Sequence, residues 1–269
     1  MAQSGRVAVV TGAARGIGAA TVLALADAGW SVLAVDAVAG DPALPYPMAT
    51  QADLSGVVSR ANQSAGAPGR VDSFVADVRD PDAVTAAVAE AEHRWGGLDA
   101  AIAAAGVIAG GVPLWEVPPA RQQAVLDVNL GGVLTLARAA VPALLRRPAP
   151  RSGRFLAVAS AAATRGLPML AAYCAAKAGV AGLVRALAAE LGDSGVTANA
   201  VSPGSTATPI LDESARLYEL PGAQAFASQQ PMRRLLDPTE VAAVLAFLAS
   251  PASSGMTGAI VPVDGGLAL

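Results

Sequence analysis

The sequence predicts an α/β protein, in which one doubly wound parallel sheet of about seven strands carries helices on both faces. Short β-branched and apolar runs alternate with longer helical patterns along the whole chain, without Pro/Ser-rich linkers or repeats. The 269 residues are 54% hydrophobic and only 14% charged, which suffices for one sizeable core. We therefore interpret residues 1–269 as a single domain.

The first strand and helix enclose a glycine-rich turn. Residues 7–10 form a β-branched run, residues 11–18 read Thr-Gly-Ala-Ala-Arg-Gly-Ile-Gly, and an apolar helix follows to about Gly29. Such glycines let the backbone approach a pyrophosphate, and the helix N-terminus offers free N–H groups. A glycine cluster alone more often marks only a turn. The flanking strand and helix favour a Rossmann-type phosphate-binding loop here.

Asp36 ends the predicted second strand, residues 31–35. It lies 18 residues beyond Gly18, near the distance at which an acidic residue contacts a ribose 2′-hydroxyl. Because a carboxylate there would repel a 2′-phosphate, the sequence favours NAD over NADP. The alternative is an aspartate in an ordinary turn.

The segment 37–70, which connects the second and third predicted strands, is unusually long for such a connection. A proline-containing stretch, with Pro42, Pro45 and Pro47, precedes a predicted short helix at 51–61. Prolines restrict an extended loop. We expect this insertion to cover the adenosine end of the cofactor, the alternative being a tolerated surface loop. The sequence predicts that Gly66, Pro68 and Gly69 break the helix.

The remaining pattern continues the alternation to the end of the chain. Strands are predicted at 71–76, 98–103, 154–159, 196–201 and 259–263, and helices at 81–95, 119–145 and 238–249. A further helix carries Tyr173 and Lys177 and extends to about Leu191. Ligands in such folds bind beyond the carboxyl ends of strands. Asp36, Asp77, Gly106, Ser160 and Pro203 all follow predicted strands, so we expect them in one cleft.

Tyr173 and Lys177 lie four residues apart in an Ala-rich stretch that favours a helix, where such a pair shares one face. An ammonium beside a phenol stabilises the phenolate and lowers the tyrosine pKa. A tyrosine tuned in this way can exchange a proton near neutral pH. The alternative is a chance pairing of a surface lysine with a half-buried tyrosine.

Together these pieces resemble the short-chain dehydrogenase/reductase family over nearly the whole chain. The spacing of thirteen residues between Ser160 and Tyr173 also matches. The matching residues are the 11–18 loop, Asp77-Val78, Gly106, Asn129, Ser160, Tyr173, Lys177, Asn199 and Pro203-Gly204.

The resemblance implies a hydride transfer between NAD and an alcohol or carbonyl substrate. Tyr173 would be the acid/base, Ser160 would stabilise charge on the substrate oxygen, Lys177 would tune Tyr173 and hold the nicotinamide ribose, and Asn129 would support a water relay. The implied cofactor-binding residues are Gly12, Arg15, Gly16, Ile17, Gly18, Asp36, Asp77, Val78, Ala104, Gly106, Tyr173, Lys177, Pro203, Gly204, Thr206 and Thr208.

One segment departs from the family pattern. Ala103-Ala104-Ala105-Gly106 stands where the family usually has Asn-Asn-Ala-Gly, whose side chains tie adjacent strands together. We expect some lost stability rather than lost activity. Cys174, next to Tyr173, is expected to pack, and His93 at a helix end is expected to be structural.

A narrower resemblance concerns the insertion. Tyr46-Pro47-Met48-Ala49-Thr50-x-x-Asp53-Leu54 resembles the insertion of mycofactocin-associated short-chain dehydrogenases, and so do residues 203–206 and 234–238. In that group the insertion is thought to retain NAD, and the peptide-derived carrier mycofactocin would reoxidise it. The resemblance therefore makes mycofactocin an expected electron acceptor of this chain.

Two other functions stay open. An ordinary carbonyl or 3-oxoacyl reductase would exchange NAD(P)(H) freely, and a non-catalytic NAD-bound scaffold would do no chemistry. Substrate identity lies beyond the pattern, although residues 205–236, with Ile210, Leu211 and Phe226, are expected to form a lid over an apolar alcohol or ketone.

Composition excludes several classes of partner. The net charge of −3 gives no electrostatic case for nucleic acid or an anionic membrane. No uninterrupted apolar run reaches about 18 residues, so we expect a soluble, cytoplasmic protein. One Cys and one His make no zinc cluster, and no metal is expected. The family commonly forms homotetramers, and we expect the same assembly here.

Overall fold

The computed structural model describes residues 5–64 and 70–269. Its seven strands form one parallel sheet in the order β3-β2-β1-β4-β5-β6-β7, which confirms the predicted doubly wound architecture. The order reverses between β1 and β4, so a crevice opens there at the carboxyl ends of the strands. The strands are β1 (Val7–Thr11), β2 (Ser31–Asp36), β3 (Val71–Val75), β4 (Ala100–Ala103), β5 (Arg154–Val158), β6 (Thr197–Pro203) and β7 (Ile260–Val263).

Helices cover both faces of the sheet. Side chains of α1, α2 and α8 form one apolar layer with the strands, and those of α3, α5 and α6 form the other. Strands buried on both sides explain the continuous apolar runs in the sequence. The helices are α1 (Gly16–Asp27), α2 (Gln51–Ser64), α3 (Pro81–Trp95), α4 (Pro119–Leu126), α5 (Gly132–Arg146), α6 (Ala171–Glu190), α7 (Pro209–Leu217) and α8 (Pro238–Ala249).

The long helix predicted at 119–145 is divided. A π-helical turn, Asp127–Gly131, separates α4 from α5. The Asn129 side chain explains the interruption, because its Nδ2 donates to the Val125 carbonyl at 2.8 Å, the acceptor that the Asn129 backbone would use in an α-helix. Sequence periodicity does not reveal such a local change in hydrogen bonding.

The inserted helix is slightly longer than predicted, since α2 covers Gln51–Ser64. Buried Leu54, Val57 and Ala61 attach it to the α1 side of the core. The predicted helix breakers Gly66, Pro68 and Gly69 lie outside the described residues.

Two helical stretches of the described chain are long and apolar enough to cross a membrane by length and composition alone, namely Pro119–Arg146 and Ala171–Glu190. The expectation from uninterrupted apolar runs missed them because polar residues punctuate both. The core helix of a soluble protein passes the same test. Both stretches contribute buried residues to the layer beneath the sheet.

Candidate active site

A cleft of about 800 Å³ lies at the carboxyl ends of the strands. It brings together the residues that the sequence placed there from seven separate segments. Ser160 lines the cleft, and so do all of the expected cofactor-binding residues. These are Gly12, Arg15, Gly16, Ile17, Gly18, Asp36, Asp77, Val78, Ala104, Gly106, Tyr173, Lys177, Pro203, Gly204, Thr206 and Thr208. Asn129 does not line the cleft, because its side chain is fully buried behind it.

The glycine-rich loop packs too closely for side chains. A Cβ on Gly12, whose φ is +65°, would lie 2.5 Å from Ala105 Cα, and one on Gly18 would lie 2.0 Å from the Gly12 carbonyl oxygen. Helix α1 starts here with Arg15 as its N-cap, and no side chain caps its N–H groups. These free donors face the cleft and suit an anionic phosphate group.

Asp36 is held rigidly at the end of β2. Its Oδ2 accepts the Ala14 N–H at 3.0 Å, and its Oδ1 accepts the Val38 N–H at 3.2 Å. Each carboxylate oxygen has a further lone pair for a ligand hydroxyl. The fixed position of this carboxylate at the cleft fits the ribose of a dinucleotide.

Thr11 makes hydrogen bonds between strands at the Ala103–Gly106 turn, where the asparagine side chains of the family pattern are missing. Its hydroxyl donates to the Ile102 carbonyl at 3.5 Å and accepts the Ala104 N–H at 3.3 Å. The hydroxyl therefore links β1 to the turn after β4, where the family pattern has asparagine. The expected loss of stability stays a prediction.

Ser160, Tyr173 and Lys177 converge at the ends of β5 and α6. The Ser160 hydroxyl accepts the Ala162 N–H at 3.1 Å, which fixes it just beyond β5. The Lys177 Nζ donates to the Val158 carbonyl at 2.8 Å and lies 5.7 Å from the Tyr173 ring centroid. The Lys177 ammonium is thus hydrogen-bonded to β5 and lies beside the Tyr173 ring.

The pKa values of this group differ from the expectation. Burial raises the pKa of Tyr173, a nearby Ser160 hydroxyl opposes that rise, and Cys174 adds to it. Burial lowers the pKa of Lys177 to about 8. In this structure the Tyr173 pKa is therefore raised and not lowered as expected from Lys177, because burial is the largest influence on it and the Lys177 ammonium is directed at a backbone carbonyl.

Asn129 connects the loop after β4 to the π-helical turn. Its Nδ2 donates to the carbonyls of Val107 and Val125, both at 2.8 Å, and its Oδ1 accepts the Val107 N–H at 3.3 Å. A Cβ on Gly106 would lie 3.0 Å from this Oδ1 and 3.8 Å from the Lys177 Nζ. Asn129 therefore fixes the floor of the cleft beneath Lys177.

The inserted segment crosses the cleft and is attached at three points. Asp41 forms an ion pair with Arg79 at 2.6 Å. The Pro47 carbonyl accepts two hydrogen bonds from Arg15 at 3.2 Å. The Tyr46 hydroxyl accepts the Ile108 N–H at 3.0 Å, and burial raises the pKa of this phenol to about 12.

Leu44 of the insertion is buried in a small apolar cluster with Val78 and Val107, and Tyr46 and Tyr173 pack against it. Sequence reasoning identified the segment but not Tyr46 as its contact with the loop after β4. The tyrosine lies within the recognised motif, and only three-dimensional packing reveals its partner.

Gln230 is a second residue that sequence reasoning missed. It is fully buried, its Oε1 accepts the Ser205 N–H at 2.7 Å, and its Nε2 donates to the Arg234 carbonyl at 2.6 Å. A Cβ on Gly204 would lie 2.4 Å from this Oε1, so the glycine is required for the contact. Gln230 therefore fixes the turn after β6 against the end of the 205–236 segment.

The side of the cleft opposite the insertion is mostly apolar. The acidic residues that line the cleft are Asp36 at the end of β2, Asp41 in the loop after it and Asp77 in the loop after β3. The walls beyond Ser160 and Tyr173 are formed by Leu167, Leu170, Ile210, Leu211, Leu220 and Phe226. Leu217, which belongs to the same 205–236 segment, does not line the cleft and lies against Gly111.

Comparison with known proteins agrees with this geometry. The family model described as enoyl-(acyl carrier protein) reductase matches residues 12–268. Cis-4-hydroxycyclohexanecarboxylate dehydrogenase of Sinomonas cyclohexanicum is 39% identical over 97% of this chain and 96% of that protein. The 3-oxoacyl-(acyl-carrier-protein) reductase of Thermotoga maritima is 34% identical over 100% of both chains.

Solved structures of dehydrogenases share this fold over nearly the whole chain. Carveol dehydrogenase from Mycobacterium avium, in complex with NAD, superposes with a TM-score of 0.91 at 32% identity and covers 98% of each chain. The chain belongs to the short-chain dehydrogenase/reductase family, whose members are nicotinamide-dependent oxidoreductases of alcohol and carbonyl groups.

Proposed function

We propose that this protein transfers a hydride between tightly held NAD and an apolar secondary alcohol or ketone, and that a carrier of the mycofactocin type reoxidises the cofactor. The observation that carries the proposal is the inserted segment, which crosses the dinucleotide cleft and is attached on both sides of it. Ser160, Tyr173 and Lys177 line the same cleft as the glycine-rich loop.

Each polar side chain has a distinct role in this proposal. Tyr173 exchanges a proton with the substrate oxygen, and Ser160 donates a hydrogen bond to that oxygen as charge develops. Lys177 contributes a cation beneath the nicotinamide ribose, and Asn129 holds the floor through which a water relay passes. A bound nicotinamide supplies the hydride acceptor or donor.

NAD rather than NADP is the proposed cofactor. The support is Asp36, whose carboxylate is fixed at the cleft by two backbone N–H groups. A 2′-phosphate there would meet a fixed negative charge, whereas a 2′-hydroxyl would donate a hydrogen bond. The solved relative from Mycobacterium avium contains NAD.

The retention of NAD rests on the three attachments of the insertion. A dinucleotide beneath this segment would leave only when the Asp41–Arg79 pair, the Arg15–Pro47 contact and the Tyr46–Ile108 contact open together. Each attachment adds to the barrier for release, so exchange with free NAD would be slow. Slow exchange is what makes a separate electron carrier necessary.

The second candidate is an ordinary reductase that exchanges NAD(P)H and acts on a 3-oxoacyl group. The relative from Thermotoga maritima favours it, because that protein aligns along its entire length. The two candidates differ in turnover. A tightly held cofactor supports many turnovers with an artificial dye acceptor but only about one with free NAD, whereas the ordinary reductase turns over freely with added nucleotide.

The proposed substrate is apolar around its hydroxyl group. The support is the apolar wall beyond Ser160 and Tyr173, formed in part by Ile210, Leu211 and Phe226. The relative from Sinomonas cyclohexanicum is named for a cyclohexane ring that carries a hydroxyl. We propose that the 205–236 segment covers such a ring. Gln230 holds the two ends of this segment together through its hydrogen bonds to Ser205 and Arg234.

Assembly and location stay predictions. A homotetramer would pair α4, α5 and α6 across one interface and α8 with β7 across another. Leu134 on α5 and Phe247 on α8 are 43% and 47% exposed, which supports contacts at these faces. A cytoplasmic location is the corresponding expectation.

We predict that Tyr173→Phe lowers the turnover of a panel of secondary alcohols with a dye acceptor by about 10²–10⁴-fold, because the phenol proton is lost. Tyr218→Phe is the matched control, since its hydroxyl donates to the Pro168 carbonyl at the same cleft. The control should keep most of its activity. Equal losses in both variants would contradict the role of Tyr173.

A second prediction concerns pH. Burial lowers the pKa of Lys177 from its ordinary value of 10.5 to about 8, so the unfolded state binds more protons than the folded state between these values. Stability therefore rises with pH in this window. We expect the free energy of unfolding of nucleotide-free protein to rise by about 1–2 kcal/mol more than that of Lys177→Met between about pH 7.5 and 9.5.

Urea titrations of both proteins at several pH values measure this difference. The two curves should run parallel below about pH 7.5, where Lys177 is charged in both the folded and the unfolded state, and the wild-type curve should rise more steeply above it. Parallel curves throughout the window would show that burial does not lower the pKa of Lys177.

A third prediction concerns cofactor retention. The protein purified without added NAD should contain nicotinamide, measured in the supernatant after denaturation. Tyr46→Phe combined with Asp41→Asn should release it about tenfold faster or more, because two attachments of the insertion are lost. Arg60→Met, an exposed change on α2, is the control and should release NAD at the wild-type rate.

An empty wild-type protein would overturn the proposed retention. Bound NAD that leaves at the same rate from wild type and from the double variant would show instead that the insertion does not hold it.

A further inference from the structure

A second cluster of polar side chains lies at the amino ends of the strands, opposite the cleft. Within residues 5–64 and 70–269, three buried side-chain polar atoms have no hydrogen-bond partner: Arg6 Nε, Arg154 Nη2 and Thr197 Oγ1. Arg6 directly precedes β1, Arg154 begins β5 and Thr197 begins β6. Because buried polar atoms are normally paired, three such atoms at one end of the sheet point to a shared ligand.

The three side chains are close together. Arg154 and Thr197 are partners in the β5–β6 ladder, so their side chains lie on the same face of the sheet. Arg6 donates to the hydroxyl and the carbonyl of Ser152, at 2.7 and 2.6 Å, and Arg154 donates to the Gly153 carbonyl at 2.9 Å. The two guanidinium groups therefore contact adjacent residues of one backbone segment, Ser152 and Gly153.

Positive charge exceeds negative charge in this cluster. The nearby carboxylate, Asp99, accepts two hydrogen bonds from Arg147 at 2.9 and 2.5 Å and the Val7 N–H at 2.8 Å. Asp99 acts on Arg6, but the charged neighbour that acts on Arg154 is Arg6 itself, a like charge. Asp99 thus pairs with Arg147 and acts on Arg6, whereas no carboxylate of the described residues acts on Arg154.

Arg154 has the largest need for a charged partner in this cluster, because its side chain is only 1% exposed. Its other hydrogen bonds go to neutral carbonyls, those of Gly153 and Ser250. A guanidinium does not lose its proton in proteins. A buried charge without a counter-charge is strongly unfavourable, which makes an anionic partner the stable arrangement.

We propose that this cluster binds a small monovalent anion such as chloride. The anion accepts hydrogen bonds from Arg6 Nε, Arg154 Nη2 and the Thr197 hydroxyl, and it neutralises part of the excess charge. A water molecule accepts only two hydrogen bonds and brings no charge. The site joins the start of β1, β5 and β6 to the end of α8 through Ser250, on the side of the sheet away from the cleft.

The direct test is a crystal of the full-length protein grown without halide and soaked in sodium bromide. Bromide gives an anomalous signal, and we expect a peak within hydrogen-bonding distance of Arg154 Nη2 and Thr197 Oγ1. A peak should be absent from Arg154→Met crystals. Wild-type crystals without a peak at this position would overturn the proposal.

Thermal unfolding in solution provides an independent measurement. Wild-type protein dialysed into sodium chloride should unfold about 2–4 °C higher than in sodium gluconate at the same ionic strength, because an anion that binds only the folded state stabilises it. Thr197→Val, which removes one donor with little change of shape, should reduce that difference. Arg151→Met, in which a neighbouring half-exposed arginine is lost, should keep it.

A wild-type midpoint that is equal in the two salts would contradict the proposal. So would a chloride effect of the same size in Thr197→Val as in the wild type. Neither outcome depends on catalysis, so the anion site and the proposed oxidoreductase function can fail separately.

Discussion

The hydrogen bond from the Lys177 ammonium to the Val158 carbonyl connects the chemistry of this protein to its fold. Lys177 is almost fully buried and lies on α6, and Val158 is the last residue of β5. Because a buried ammonium must be hydrogen-bonded, this contact fixes α6 relative to the strand that ends next to Ser160. Tyr173, one turn earlier on α6, is thereby held over the same opening. This contact therefore fixes the positions of Ser160, Tyr173 and Lys177 relative to one another.

Burial has opposite effects on the two titratable members of this group. It favours the neutral form of each, so that the Tyr173 pKa is raised and the Lys177 pKa is lowered. A dinucleotide in the cleft would bring ribose hydroxyls to these groups. The N–H groups at the start of α1 have no side-chain cap, and the Asp36 carboxylate is held by the Ala14 N–H. We infer that the protein is preorganised for its cofactor and that the ligand completes the electrostatics of Tyr173 and Lys177.

Much of this architecture was predictable from local pattern. Alternating strands and helices, the 11–18 loop and Asp36 follow from periodicity and glycine spacing, and the structure places them as expected. The features that escaped prediction depend on contacts between distant segments. Gln230 reaches Ser205 from 25 residues away, and Tyr46 reaches Ile108 from 62 residues away. The π-helical turn at Asn129 arises from one side-chain hydrogen bond, which leaves no periodic trace in the sequence.

In the proposed reaction, hydride passes directly between a substrate carbon and a nicotinamide held in this cleft. The most direct measurement adds secondary alcohols, deuterated at the carbon that bears the hydroxyl, to the protein as purified. Mass spectrometry then analyses the nicotinamide released on denaturation. We expect the wild type to release reduced nicotinamide that carries one deuterium. Tyr173→Phe should release none. Protein that holds NAD and yields oxidised dinucleotide without deuterium across the whole panel, with and without added NAD, would contradict the proposed reaction.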